Sequence, residues 1–194
     1  VAERRPGADR VSVRSLARMK REGQKIVCLT AYDFPTARIV DRAGVDLILV
    51  GDSAANVVYG AETTLEIGME EMLYHTRAVA AAVERAFVVA DMPFLSYQVS
   101  VEQAVANAGR FLKAGAEAVK LEGAGPIVET TRRLVELGIP VMGHLGLTPQ
   151  SVHKLGGYRL QARRSDEQER LEADSRRLEE AGCFAVVLEK VPVE

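Results

Sequence analysis

Four carboxylates in this 194-residue sequence each stand at the end of a short apolar run: Asp52 in ILVGDS, Asp91 in VVADMPF, Glu122 in AVKLEG and Glu189 in VVLEKVP. Ser53 adjoins the first of them, Lys120 lies two residues before Glu122, His144 ends the run VMGHLG, and Tyr32 and Asp33 follow the earliest run. A buried carboxylate is costly unless it is paired, hydrogen-bonded or bound to a metal. One such residue reads as a helix cap; four at successive strand ends read as one shared polar site. Alternate strand residues face the same side, so Lys120 and Glu122 point together while Val119 and Leu121 face the other way. That leaves two partnerships open: a plain Lys–Glu ion pair, or a ligand carboxylate for Lys120 and a cation for Glu122. Carboxylate oxygens without a His or Cys cluster suit a hard divalent ion, Mg²⁺ first, whereas zinc would recruit His or Cys. Of the three histidines, His144 is expected to face the site. His75 falls within a helical run and reads as inert, and His153 follows the TPQS turn and reads as structural.

The elements that must position these residues follow from a weak internal repeat. Four segments pass from a helix end through Gly into an apolar run: RAGVDLILV (42–50), KAGAEAVKL (113–121), ELGIPVMGH (136–144) and EAGCFAVVL (180–188). Gly44, Gly115, Gly138 and Gly182 stand where a helix terminus needs a left-handed residue. The runs after them have the continuous apolar character of strands buried on both faces. Two more such runs cover 25–30 and 86–90. Helical segments alternate with them at 12–22, 34–43, 70–84, 101–114, 126–137 and 167–181. The segment at 101 opens with a capping Ser100 and Gln103 three residues on, and the one at 126 opens with Pro.

Strand alternating with helix implies a parallel sheet. A doubly wound nucleotide-binding sheet would carry a Gly-rich loop after its first strand, but Thr30-Ala31-Tyr32-Asp33 has none. The expectation is therefore an α/β protein with a (β/α)8 barrel architecture, in which the active site lies at the C-terminal ends of the strands. Six βα-type strands are counted where a full barrel has eight. The chain lacks an initial Met and ends in VPVE, so residues 1–194 are expected to form a single barrel domain trimmed at both ends and lacking about the last two βα units. On that expectation the segment FAVVL (184–188) becomes an open edge, and the isolated chain is unstable.

Composition excludes several classes. The net charge of −2, the scattered basic residues and the absence of Trp argue against a nucleic-acid partner. No apolar run approaches the length needed to cross a bilayer, and the opening VAERRPGADR lacks the apolar core of a leader peptide. Cys28 and Cys183 are far apart, beside apolar runs, and read as small buried hydrophobes in a reducing cytoplasm.

The strand-end motifs together resemble the ketopantoate hydroxymethyltransferase family. They comprise TAYD at 30–33, LVGDS at 49–53, YHTRAV at 74–79, VADMPF at 89–94, VKLEG at 119–123, GHLGLTPQSV at 143–152, LGGYRLQ at 155–161 and LEKVP at 188–192, and they span essentially the whole chain. The resemblance implies a (β/α)8 barrel holding Mg²⁺ through Asp52, Asp91 and Glu122. It implies contacts to a small 2-oxo acid from Asp52, Ser53, Asp91 and Lys120, with His144 facing the same pocket, and places the acid/base on Glu189. The implied reaction converts 3-methyl-2-oxobutanoate, 5,10-methylenetetrahydrofolate and water to 2-dehydropantoate and tetrahydrofolate through a Mg-bound enolate. The family is cytoplasmic and homo-oligomeric, often decameric in bacteria. Burial would raise the pKa of Glu189 toward neutrality, as suits an acid/base. Two positions depart from the family: Gln161-Ala162-Arg163-Arg164 stands where a Gly-Arg or Gly-Lys step is common, and Lys190 replaces a small or apolar residue. Two other readings compete. One is a Mg-dependent carbon–carbon lyase or mutase of the phosphoenolpyruvate mutase and isocitrate lyase type, whose catalytic Cys loop this sequence lacks. The other is a truncated barrel retained as a non-catalytic module.

Overall fold

A computed structural model describes residues 10–193. Residues 1–9, most of the segment read above for a leader, lie outside the described residues, as does Glu194. The strands are β1 (Cys28–Thr30), β2 (Leu47–Val50), β3 (Phe87–Asp91), β4 (Ala118–Glu122), β5 (Val141–Gly146) and β6 (Ala185–Glu189). The helices are α1 (Val13–Arg21), α2 (Phe34–Arg42), α3 (Ala54–Val57), α4 (Met69–Ala82), α5 (Val101–Lys113), α6 (Ile127–Glu136), α7 (Val152–Leu155) and α8 (Ser165–Glu180). Each strand pairs in parallel with the next in sequence, giving the order β1-β2-β3-β4-β5-β6 with no reversal. That order is the winding of a barrel, and the observed sheet is a curled six-stranded half-barrel. Six strands are found, the number counted in the sequence; an eight-stranded barrel is not seen among the described residues.

The repeat glycines act as anticipated. All four follow a helix C-terminus and take positive φ, from 82° at Gly138 to 106° at Gly115. The first strand is shorter than expected for a specific reason. The Asp46 carboxylate accepts the Val27 N–H at 3.0 Å, so ladder pairing begins only at Cys28. The short helix α3 and a 3₁₀ turn at Thr64–Glu66 were not anticipated.

Strand parity divides the core. Ile48, Val50, Val88, Ala90, Val119 and Leu121 point outward into the layer shared with the helices. Leu47, Phe87, Val89, Ala118 and Met142 point inward, where Val11 and Leu16 of the N-terminal segment cover them. Full burial of a side chain such as Leu16 contributes roughly 2 kcal/mol, so α1 plugs the bottom of the half-barrel. The top is left to polar residues. Cys183 is half-buried against this core, but Cys28 is exposed, contrary to expectation, because β1 is an edge of the described sheet.

Candidate active site

The register of the parallel ladder assembles the site. Asp91 pairs with Lys120, Glu122 with His144, and Gly146 with Glu189. All of these positions have inward parity, so their side chains converge above the inner apolar cluster. Lys120 Nζ lies 2.9 Å from Asp91 Oδ1, 3.8 Å from Glu122 Oε1 and 3.1 Å from His144 Nδ1. An ammonium only donates, so His144 Nδ1 accepts and its proton sits on Nε2. Nε2 points toward Glu189 Oε2 at 3.4 Å. Asp52 joins from the loop after β2, where its backbone N–H donates to Asp91 Oδ2 at 3.0 Å. Ser53 Oγ is held 2.9 Å from the Tyr32 hydroxyl. Asp52, Ser53, Asp91, Lys120, Glu122 and His144 thus lie in one place, with Glu189 at the rim.

Burial dominates the electrostatics. It pushes the Asp52 carboxyl up to about 8, helped by the Asp91 charge. It pushes Glu122 up to about 7, against the pull of the Lys120 ammonium. Burial alone would lower the Lys120 pKa, but Asp91, Glu122 and Asp52 overcome it and hold the ammonium charged. Burial and the Lys120 charge bring His144 down to about 4, so its imidazole is neutral and its contacts with Glu122 and Glu189 are not ion pairs. The burial expected of Glu189 is not found. Its side chain is 39% exposed, because β6 is the other edge of the described sheet.

Buried carboxylates also occur at the opposite rim, and the contrast separates structure from chemistry. Asp41 accepts backbone N–H groups from Glu84, Arg85 and Ala86, and Asp46 accepts from Val27 and from the Arg85 guanidinium. Both oxygens of each are engaged. In the upper site, Glu122 Oε1 is buried without a hydrogen bond, and Asp91 Oδ1 has the shared Lys120 ammonium as its one partner. Buried oxygens so sparsely partnered, in a cluster where three carboxylates face one ammonium, fit a hard cation. Among the described residues no three His, Cys, Asp or Glu side chains form a ready-made metal cage. Mg²⁺ does not require one, since it is commonly held by one or two carboxylates together with substrate and water.

Several polar residues play parts that differ from expectation. Asp33 is a helix cap, its Oδ1 accepting the Thr36 N–H at 2.8 Å. His75 is not inert. Its Nδ1 lies 2.6 Å from the Tyr32 carbonyl, which only accepts, so Nδ1 donates and Nε2 accepts from the Tyr59 hydroxyl at 2.7 Å. This buried helix residue therefore fixes the loop that carries Tyr32 toward Ser53. His153 is exposed on α7, as a structural residue would be. Lys190 takes φ 45° and folds away from Glu189, donating to the Tyr158 carbonyl at 2.9 Å. Ala162, at the position where the family commonly has Gly, takes φ 52°. Two residues went unrecognised as site members: Gln150, which donates to Asp52 Oδ2 at 2.9 Å, and Tyr97, which accepts the Glu122 N–H at 3.0 Å. The sequence signal for Gln150 was its place in GHLGLTPQSV, just beyond the strand end bearing His144.

A half-barrel with a lysine–carboxylate cluster at its C-terminal strand ends has its buried charge where barrel enzymes carry their active sites. Its fold is similar to 2,3-dimethylmalate lyase, a phosphoenolpyruvate mutase/isocitrate lyase superfamily member, with a TM-score of 0.65 and 19% identity over 92% of this chain and 63% of that one. It is also similar to phosphonopyruvate hydrolase solved with oxalate and Mg²⁺, with a TM-score of 0.70 and 15% identity over 93% of this chain and 63% of that one. The family model for ketopantoate hydroxymethyltransferase matches residues 10–194. The 3-methyl-2-oxobutanoate hydroxymethyltransferase of Thermoanaerobacter sp. (strain X514) is 54% identical over 187 residues, 96% of this chain and 68% of that protein. The enzyme of the same name from Prosthecochloris aestuarii is 56% identical over 189 residues, 95% of this chain and 68% of that protein. The chain belongs to the ketopantoate hydroxymethyltransferase family. It spans about two thirds of the length of these relatives.

Proposed function

We propose that this chain carries the oxo-acid half of a 3-methyl-2-oxobutanoate hydroxymethyltransferase active site, within a (β/α)8 barrel whose remaining strands lie beyond the six described. The carrying observation is the cluster of Asp52, Asp91, Lys120 and Glu122 with its sparsely partnered carboxylate oxygens, in a chain of this family. The reaction removes a proton from carbon 3 of the oxo acid. Water releases the methylene carbon of 5,10-methylenetetrahydrofolate from both nitrogens as formaldehyde, its two protons going to those nitrogens. The enolate adds to the formaldehyde carbonyl and the alkoxide takes up the proton lost from carbon 3, giving 2-dehydropantoate and tetrahydrofolate in pantothenate biosynthesis. Asp52, Asp91 and Glu122 hold Mg²⁺ in this reading, and the ion when bound acts as a Lewis acid on the oxo-acid oxygens.

The chain's own residues supply the rest. Lys120 sets a fixed positive charge where negative charge develops during proton loss. Ser53, pre-aimed by Tyr32, donates to the substrate carboxylate. Neutral His144 keeps its Nε2 proton toward Glu189 and the pocket. Glu189, half-exposed at the rim, transfers the proton, and its position allows it to meet the folate side as well. Cytoplasmic location and homo-oligomeric assembly, decameric in many bacterial members, belong to the same reading. Among the described residues no helix is long and apolar enough to cross a membrane.

The lyase and mutase reading shares the fold and is disfavoured by the cysteines. Cys28 lies within β1 and Cys183 precedes β6, so neither stands in a loop at the C-terminal strand ends. Proton NMR of deuterium exchange at carbon 3 of 3-methyl-2-oxobutanoate tests the proposal without folate. Exchange is expected with Mg²⁺ present and is expected to fall at least a hundredfold in Glu189→Gln, on the scale of a lost acid/base. Wild-type protein that binds Mg²⁺ and the oxo acid yet leaves carbon 3 unexchanged would reject this reading.

A further inference from the structure

Gln150 is bonded to several site residues, although it comes from the segment after β5. It is 6% exposed. Its Nε2 donates to Asp52 Oδ2 and to the Met92 carbonyl, both at 2.9 Å. Its Oε1 accepts from the Tyr97 hydroxyl at 2.8 Å and from Gln98 Nε2 at 3.0 Å. Its backbone N–H donates to Glu122 Oε2 at 3.0 Å. An amide side chain has two donors and one oxygen with two lone pairs, so its capacity is used in full. The orientation is fixed as well, because a flipped amide would set oxygen against two acceptors and NH₂ against a donor. Tyr97 has a single proton, which goes to Gln150 Oε1, leaving its oxygen to accept from the Glu122 N–H. Glu122, Tyr97 and Gln150 therefore close a ring of bonds, and Gln150 ties that ring to Asp52.

The consequence lies in which carboxylate oxygens are taken. Gln150 engages Asp52 Oδ2 and Glu122 Oε2, while the Asp52 N–H engages Asp91 Oδ2. Glu122 Oε1 is left buried without a hydrogen bond, and Asp91 Oδ1 faces the Lys120 ammonium alone, at 2.9 Å. We propose that Gln150 is a positioning residue whose side-chain amide turns Asp52 directly and steadies Glu122 through Tyr97, so that a fixed set of carboxylate oxygens faces a divalent cation. This rests on the functional reading above for the identity of the site and on the bonds of Gln150 for its role. A residue that only filled space here would keep the backbone N–H on Glu122 Oε2 but would release the Asp52 carboxylate and the Tyr97 hydroxyl, and the ordered set of oxygens would be lost.

The test uses Gln150→Met, which keeps the length and removes the amide, and Tyr97→Phe, which releases Gln150 Oε1 and the Glu122 N–H while keeping the ring. Mn²⁺ affinity is measured by calorimetry with 3-methyl-2-oxobutanoate present, after circular dichroism confirms folding. Carbon 3 exchange is followed separately. The cation Kd is expected to rise at least tenfold in Gln150→Met and at least threefold in Tyr97→Phe, with native-like dichroism. A folded Gln150→Met with a cation Kd within twofold of wild type overturns the assignment. If that variant fails to fold, a cation Kd within twofold in Tyr97→Phe overturns it instead. Wild-type protein that binds Mn²⁺ without exchanging carbon 3 would reject the transferase reading, and the cation affinities would still decide the role of Gln150. Wild-type protein that binds no Mn²⁺ would overturn both.

Discussion

Three buried carboxylates facing one buried ammonium set the behaviour of this site at the residue scale. Removing Lys120 leaves Asp91 and Glu122 without the charge beside them, and breaking a buried pair in this way costs about 3–5 kcal/mol where the partners stay ionised. Protonation of the carboxylates relieves part of that cost. Lys120→Ala is therefore expected to fold, melt several degrees lower and lose oxo-acid affinity by more than tenfold. Lys120→Arg, which keeps the charge, should lose less; equal calorimetric affinities across the three proteins would mark a structural ion pair with no ligand role. The raised carboxyls give a second expectation. Asp52 and Glu122 titrate near 8 and 7 in the folded chain and near 4 when unfolded. The folded state thus holds protons that the unfolded state releases across this window, and stability falls as pH rises through it. Ion-free protein should melt lower at pH 8.5 than at pH 6, and Mg²⁺ should restore most of the difference at the higher pH, because it replaces the protons. Calorimetric melts that are flat from pH 6 to 8.5 without Mg²⁺ would contradict these shifts.

At the scale of elements, the end of β5 places Glu189. Gly146 takes φ 84°, and a Cβ there would lie 2.2 Å from the Glu189 carbonyl oxygen. The next residue, Leu147, donates its N–H to that same carbonyl at 2.8 Å. Gly146→Ala must therefore push the two strand ends apart, against both the contact and the left-handed backbone, at a cost of about 2 kcal/mol or more. Carbon 3 exchange should fall at least tenfold, while Mn²⁺ affinity, set by the carboxylates after β2, β3 and β4 and by Gln150 rather than by Glu189, falls less. Equal losses of both would show that the two halves of the site are not separately positioned. The same elements show what the sequence could reveal. Strand ends were legible because burial makes a strand-end Asp or Glu conspicuous, and parity made Lys120 and Glu122 a pair. Gln150 was not legible as a site residue, since a glutamine after a strand is unremarkable until the fold brings it to Asp52, 98 positions earlier in the sequence. His75 looked inert because helical periodicity shows that it is buried but not what it bonds. The exposure of Cys28 and Glu189 was missed for one reason: both sit on strands that are edges of the described sheet, and edge position is a property of the sheet rather than of the run.

At the scale of the molecule, those edges determine how 194 residues behave alone. Among the described residues β1 pairs with β2 alone and β6 with β5 alone, so each presents one row of unpaired backbone groups. β1 is blunted only by its length of three residues, and β6 has neither a proline nor a lysine within it. All three residues of β1 are exposed, Leu29 at 48%, and β6 is apolar apart from Glu189, with Leu188 at 51%. Apolar edges of this kind recruit other strands, and the inner cluster is incompletely covered, since Ala185 and Val187 pack on it only partly buried. A polypeptide of residues 1–194 alone is therefore expected to form concentration-dependent aggregates and to melt over a broad range. A polypeptide extended to the length of the Thermoanaerobacter relative, of which this chain matches 68%, should remain dispersed and melt cooperatively. Sedimentation velocity at several concentrations with differential scanning calorimetry separates the two. A monodisperse 194-residue polypeptide with one sharp transition would show that the half-barrel protects its own edges, and the case for closure by further strands would then fail.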